Sequence, residues 1–242
     1  MRKNGIYNWT IPAFKVTLSD GSKFNACPNA GACARVCYAR FGTYRFGNVM
    51  KRHLHNLEYL LQHPDDWEEQ MSREIGQRRF APSGIPHHLP YDPSDSFVAT
   101  WMLTGGKAVR IHDAGDFFEV GYLFRWVHIA EQHPQVLFYA YTKENSMIMP
   151  LLSAMPPNFK IIFSYGGQED GLIVRDIHRH ADVFASAEAL EAAGYFDQED
   201  NDILAAIAPT TRIGIVQNNL PVAKKRFNGR PMSELINRVT EA

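Results

Sequence analysis

The chain has 242 residues, a formal net charge of −1, 45% hydrophobic and 21% charged residues. That balance describes a soluble, core-forming chain of one domain or two small ones, and it excludes disorder, a collagen-like fibre and a bulk polyanion binder. No run of eighteen apolar residues exists, so no transmembrane helix is expected. The basic start Met1-Arg2-Lys3 leads into no apolar segment of a signal peptide.

Residues 14–18 read as a first strand, and Asp20-Gly21 as the turn after it. The chain's three cysteines follow, Cys27, Cys33 and Cys37, all within eleven residues. An odd count excludes a closed disulfide framework, and the clustering points to a local metal site in a reducing cytosol. Residues 21–57 hold no Asp or Glu but carry Lys23, Arg35, Arg40, Arg45, Lys51 and Arg52, a local charge of +6. Such charge favours thiolates and attracts anions, and it is equally the composition of a solvated surface.

A helix is expected from near Gly47 to before Pro64, burying Val49, Met50, Leu54, Leu57, Leu60 and Leu61. Asp65 caps a second helix with Trp67, Met71 and Ile75 on one face. Residues 81–96, rich in Pro, Gly, Ser and Asp, read as a long loop. Beyond Lys107, β-rich runs at 108–112, 136–142, 159–165, 182–185 and 212–216 alternate with helical patterns. One such pattern sets Val120, Leu123, Phe124, Val127 and Ala130 on one stripe; others fit 146–154, 187–193 and 202–208. Alternation of this kind predicts a parallel sheet with helices outside. With residues 14–18 it gives about six strands, too few for an eight-stranded barrel. The expected fold is α/β, an open or partial barrel, with a doubly wound sheet as the alternative. A single domain spans 1–242: an N-terminal part to 106, the alternating part 107–220, and a basic, helical tail 221–242.

Functional groups of parallel α/β folds gather at the carboxyl ends of strands. Those ends read His112-Asp113-Ala114-Gly115-Asp116, Tyr141-Thr142-Lys143-Glu144, Ser164-Tyr165-Gly166-Gly167-Gln168, Ser186, and Gln217-Asn218-Asn219. The plain alternatives are that Asp113 and Asp116 cap the next helix and that Gly166-Gly167 is a turn. The cysteine segment reads Cys27-Pro-Asn-Ala-Gly-Ala-Cys33-Ala-Arg-Val-Cys37-Tyr38-Ala39. Three thiolates can hold three irons of a four-iron cluster and leave the fourth open. Zinc competes, with His53 or His55 as a fourth ligand, although the gap from Cys27 to Cys33 is wide for a zinc knuckle.

Three cysteines after the first strand of a partial barrel resemble the radical S-adenosylmethionine (SAM) superfamily, though the spacing here is C-x5-C-x3-C rather than C-x3-C-x2-C. The cysteine segment, the string Arg110 to Phe118 (RIHDAGDFF) and the string Phe138 to Lys143 (FYAYTK) together resemble the phage gene product 88 family. The resemblance implies a partial (β/α)6-type barrel with the cysteine loop after the first strand. It implies a [4Fe-4S] cluster on Cys27, Cys33 and Cys37, with SAM on the open iron giving a 5′-deoxyadenosyl radical. It further implies SAM contacts from Tyr38, Asp113, Asp116, Ser164 and Gln217. Implied partners are a one-electron reductant such as flavodoxin or ferredoxin, and a nucleotide or a modified base in DNA. The reaction would be a rearrangement or functionalisation, in the host cytoplasm. The basic stretch and Lys224-Lys225-Arg226 are compatible with phosphate contacts. Two other classes are a non-catalytic iron–sulfur or zinc module, and a metal-dependent hydrolase using His112, Asp113 and Asp116.

Overall fold

A computed structural model describes residues 5–77, 88–199, 201–217 and 225–235. Residues 81–87 of the expected loop, Asn218, Asn219, Lys224 and the end of the tail therefore lie outside the described residues. In chain order the elements are β1 (Ile6–Trp9), β2 (Lys15–Thr17), β3 (Lys23–Asn25), α1 (Cys33–Val36), α2 (Gly47–Gln62), α3 (Pro64–Gly76) and α4 (Ser96–Thr104). They continue with β4 (Lys107–Ile111), α5 (Val120–Gln132), β5 (Val136–Thr142), α6 (Asn145–Ile148), β6 (Phe159–Ser164), β7 (His180–Phe184), α7 (Ala187–Ala192), β8 (Phe196–Asp197), α8 (Leu204–Ile207) and β9 (Arg212–Val216).

Seven strands form one parallel sheet in the order β1-β4-β5-β6-β7-β9-β8. The order runs one way along the chain until the last two strands exchange. The sheet is α/β as expected, but β1 and β8 are its two edges, and closure into a barrel is not seen among the described residues. A mid-sheet reversal, the mark of a doubly wound fold, is absent from this order as well. The expected first strand, 14–18, shrinks to β2, which pairs antiparallel with β3 in a separate hairpin. The true first sheet strand is β1, parallel to β4 with Trp9 opposite Ile111.

The sheet is buried on both faces, which is why its central strands are continuous apolar runs rather than alternating ones. Successive side chains point to opposite faces. Phe138 and Ala140 join Trp67, Ile75, Tyr122, Leu123 and Trp126 of α3 and α5. Leu137 and Tyr139 join Val98, Trp101 and Met102 of α4 and Leu204 to Ile207 of α8. Trp67 stands edge-on to Tyr122 and Trp126, with ring centroids 5.7 and 5.2 Å away. Each fully buried side chain of this size stabilises the fold by about 1.5–3 kcal/mol.

Helix details differ from the periodicity in places. Met50 and Phe124 were expected on buried stripes but are 56% and 47% exposed. In α2 only Leu57 and Leu60 are buried, because the body of the protein supports only its second half. Pro64 takes the first turn of α3 after a cap at His63, so Asp65 lies within the helix rather than capping it. The Asp95 carboxylate caps α4, accepting from Val98 N at 3.0 Å, and Gly105 ends that helix in a left-handed turn.

Candidate functional site

The cysteine loop starts two residues after β3 and is docked on the turn after β6. Gly31 N and Cys33 N both donate to Gly166 O at 3.0 Å, and Gln168 N donates to Asn29 O at 2.9 Å. The docking needs glycine on both sides. A Cβ on Gly31 would stand 2.8 Å from Gly167 O, and one on Gly166, whose φ is +103, would stand 2.8 Å from Met232 Cγ and 3.1 Å from Cys33 Cβ. Gly166-Gly167 is therefore more than a plain turn. The Asp170 carboxylate fixes it by accepting Gly166 N at 2.7 Å and Gly167 N at 2.8 Å.

From that docking a cavity of about 650 Å³ opens at the carboxyl edge of the sheet. All three cysteines line it, together with Tyr38, Asp113, Asp116, Ser164 and Gln217, so the residues that the resemblance implied for cluster and SAM share one chamber. The volume falls in the range of small-molecule sites, roughly 300–1,000 Å³. Cys33 opens α1 and Cys37 follows its last residue, Val36, so one short helix places two thiols. The three cysteines are free, with no disulfide among them. Phe14, held at φ 59, donates its N–H to Cys27 Sγ at 3.3 Å, and backbone N–H groups of Ala39 and Arg40 support Cys37. Burial pushes all three thiols above the ordinary range; Lys143 pulls Cys33 and Cys37 back toward thiolate.

Asp116 is buried and does not cap a helix. It accepts Phe117 N at 2.8 Å and Thr142 Oγ1 at 2.7 Å on one oxygen, and Lys143 N at 2.9 Å on the other. Lys143 Nζ donates to Ser164 Oγ at 3.0 Å. Burial opposes the Lys143 ammonium, but the charges of Cys33, Asp116 and Asp170 outweigh it and hold its pKa above the ordinary value. Glu144 accepts Asn29 N at 2.9 Å and Asn29 Nδ2 at 2.8 Å, clamping the cysteine loop to the end of β5. Burial, then the neighbouring Asp116, pushes its carboxyl up to about 7.

The opposite wall is aromatic and guanidinium-bearing. The Tyr38 hydroxyl donates to the Asp113 carbonyl, and the Tyr44 hydroxyl to the Asp113 carboxylate. Arg110 pairs with Asp202 at 3.0 Å and Asp113 at 3.7 Å, and its guanidinium lies 5.0 Å from the centre of the Tyr141 ring. His112 is turned by its φ of 65 so that Nε2 meets the Tyr122 hydroxyl at 2.8 Å. The same hydroxyl accepts from Trp9 Nε1 at 2.9 Å. Nδ1 of His112 is a buried ring nitrogen without a protein partner. Arg110 Nε and Gln217 Oε1 are also unpartnered, and all three residues line the cavity. Burial lowers the His112 pKa to about 3, which keeps it neutral.

Lys143, Tyr44, Arg110 and Asp202 escaped the sequence reading as site residues. Lys143 stood in a strand-end string already singled out, whereas no sequence signal links Arg110 to Asp202 across 92 positions. The zinc candidates do not join the cysteines. His53 lies 5.9 Å from the Tyr44 ring, and His55 stacks on Tyr59 facing a separate cleft. His112, Asp113 and Asp116 have three different partners. Among the described residues, no group of three or more His, Cys, Asp or Glu side chains is gathered to hold one metal ion. A single tetrahedral zinc, with sulfur at about 2.3 Å, needs its thiolates in mutual contact. The three cysteines share the lining of one cavity.

Comparison with known proteins adds the lineage. The family model for gene product 88 matches residues 1–229. The chain belongs to the gene product 88 family. A relative in this family, the Gene 88 protein of Mycobacterium phage L5, is 30% identical over 161 residues, 63% of this chain. The matched segment spans 56% of that relative's length. No solved structure matches the chain significantly. Among the described residues of this family member, no helix is long and apolar enough to cross a membrane.

Proposed function

We propose that the protein is an iron–sulfur enzyme of the radical SAM type that rearranges or functionalises a nucleotide or a base of phage DNA. The observation that carries the reading is that the three cysteines of the chain line one cavity at the carboxyl edge of a parallel sheet, beside unpartnered polar atoms of Arg110, His112 and Gln217. Cys27, Cys33 and Cys37 would hold a [4Fe-4S] cluster, with SAM at the remaining iron. The chemistry this pair supplies when bound is one-electron hydrogen abstraction from the substrate, fed by a reductant such as flavodoxin or ferredoxin.

The chain's own residues do the positioning. N–H groups of Phe14, Ala39 and Arg40 stabilise thiolates, and the Lys143 ammonium offsets their charge. Arg110 Nε offers a donor, Gln217 Oε1 an acceptor and His112 Nδ1 a further ring nitrogen to a polar nucleoside ligand. Tyr38, locked by its bond to Asp113, presents a rigid ring as a wall. Phe227 and Met232, both buried, wall the chamber from the C-terminal segment.

The test is anaerobic purification with metal analysis, then incubation with SAM and dithionite. About four irons per chain are expected, with formation of 5′-deoxyadenosine that the Cys37→Ala variant loses. Stoichiometric zinc in place of iron, or an iron-loaded protein that neither binds SAM by calorimetry nor yields 5′-deoxyadenosine, would overturn the reading.

A further inference from the structure

The outer face of the first half of α2 stands exposed. Met50, Lys51 and Arg52 are exposed, and the first buried residue of the helix is Leu57. Phe46, just before the helix, is 59% exposed, and Met50 nearly as much. Large apolar side chains standing together in water on a formed helix mark a surface that binds something.

The surrounding charge gives the sign of what it binds. Arg45, Lys51 and Arg52 flank Phe46 and Met50, all three exposed, and residues 21–57 contain no acid. The fold adds basic chain from far away: Arg226 Nη1 donates to Arg35 O at 2.9 Å, across 191 positions. Arg226 thereby joins a loop that is already cationic. The acid of that C-terminal segment, Glu234, leaves the sum strongly positive. The rim is continuous with the site, because Phe41, Gly42, Thr43 and Tyr44 line the cavity and lead directly into Arg45 and Phe46.

We infer that this rim, made by Arg45, Phe46, Met50, Lys51 and Arg52, binds single-stranded DNA and directs a base toward the cavity. Cations alternating with exposed apolar and aromatic side chains suit a strand whose phosphates and base faces are both accessible. A paired duplex offers no base face to Phe46. The inference rests on the proposed function for the identity of the nucleic acid, but the binding itself needs no cluster.

The experiment is fluorescence anisotropy of the full chain with a short labelled DNA single strand, between about 50 and 200 mM salt. Affinity should fall linearly with salt on logarithmic axes. The triple variant Arg45→Glu, Lys51→Glu, Arg52→Glu should bind at least about tenfold more weakly with a shallower salt slope. The pair Phe46→Ala, Met50→Ala should lose about fivefold or more with the slope unchanged. Circular dichroism and melting of both variants should match the parent, since the altered side chains are exposed. Absence of binding, or variants that bind as the parent does, would sink the inference. So would preference for duplex DNA, for RNA of the same sequence, for heparin, or for anionic lipid vesicles. DNA binding without SAM cleavage would leave this inference standing and remove the proposed chemistry; SAM cleavage without DNA binding would do the reverse.

Discussion

Asp116→Asn is the sharpest test of how the site is assembled. The substitution changes no volume, so it isolates charge and hydrogen bonding. Oδ1 of Asp116 accepts from Phe117 N and Thr142 Oγ1, and an asparagine oxygen can keep both bonds. Oδ2 accepts from Lys143 N at 2.9 Å, and there asparagine puts an NH2 group against an N–H. One charge-assisted bond is lost and two donors face each other in a buried place, a cost of about 1–3 kcal/mol. The Lys143 ammonium also loses a neighbouring anion that helps hold its charge. The total comes to about 2–4 kcal/mol, a large share of a typical folding free energy. Urea unfolding followed by circular dichroism should show the midpoint falling by about 1 M or more at unchanged slope. A shift smaller than about 0.3 M would refute the reasoning. It would mean that Asp116 already carries a proton, the direction in which burial pushes it.

Glu144 gives a pH signature. Its folded pKa is raised to about 7, so its stabilising contribution is complete below the unfolded carboxyl range near 4.5 and is lost as pH rises through 7. Urea midpoints should therefore drop between about pH 5 and 7.5, and Glu144→Gln should flatten that drop; an identical slope in the variant would contradict the assignment. Gly31→Ala forces a Cβ to 2.8 Å from backbone oxygen Gly167 O, which no rotamer change relieves. That variant should lose about 1–3 kcal/mol and expose its cysteines to faster alkylation, and parent-like alkylation would show that the loop docks otherwise.

The legible parts of this fold are those whose signal is local. β5 and β6 are runs of buried apolar residues, and their boundaries follow from the sequence almost to the residue. β1 is not legible, because Ile-Tyr-Asn-Trp is four residues long, carries an Asn and shows no alternation that would set it apart. It is a sheet strand only because β4 lies beside it. α4 is apolar nearly all round and sits over the sheet, so no amphipathic period announces it, although Asp95-Ser96 is a good cap signal in hindsight. Met50 fits the helical stripe of α2 perfectly in one dimension; it is exposed because, among the described residues, the helix is buried only from Leu57 onward.

The site divides along the same line. Strand-end residues can be listed from the alternation alone, since a parallel sheet sends every carboxyl end to one edge. What cannot be listed is which of them turn inward. Lys143 reads as a solvated charge after a strand, and only the approach of Asp116, Ser164 and the cysteines makes it a half-buried cation. Arg110 similarly reads as a polar interruption of β4, until α8 covers that face and Asp202 arrives to pair with it. Burying a guanidinium and an ammonium on two walls of one chamber costs several kcal/mol for each ion unless acids accompany them. Asp113 and Asp202 accompany the first, and Asp116 and Asp170 the second. Packing alone does not require that expense, since an apolar chamber would fold as well. The charge pairs are therefore the feature that most sets this cavity apart from a packing defect. They also explain why its residues lie on so many strands: Asp202 reaches Arg110 from 92 positions away, and Lys143 meets Asp116 and Asp170 from other strand ends.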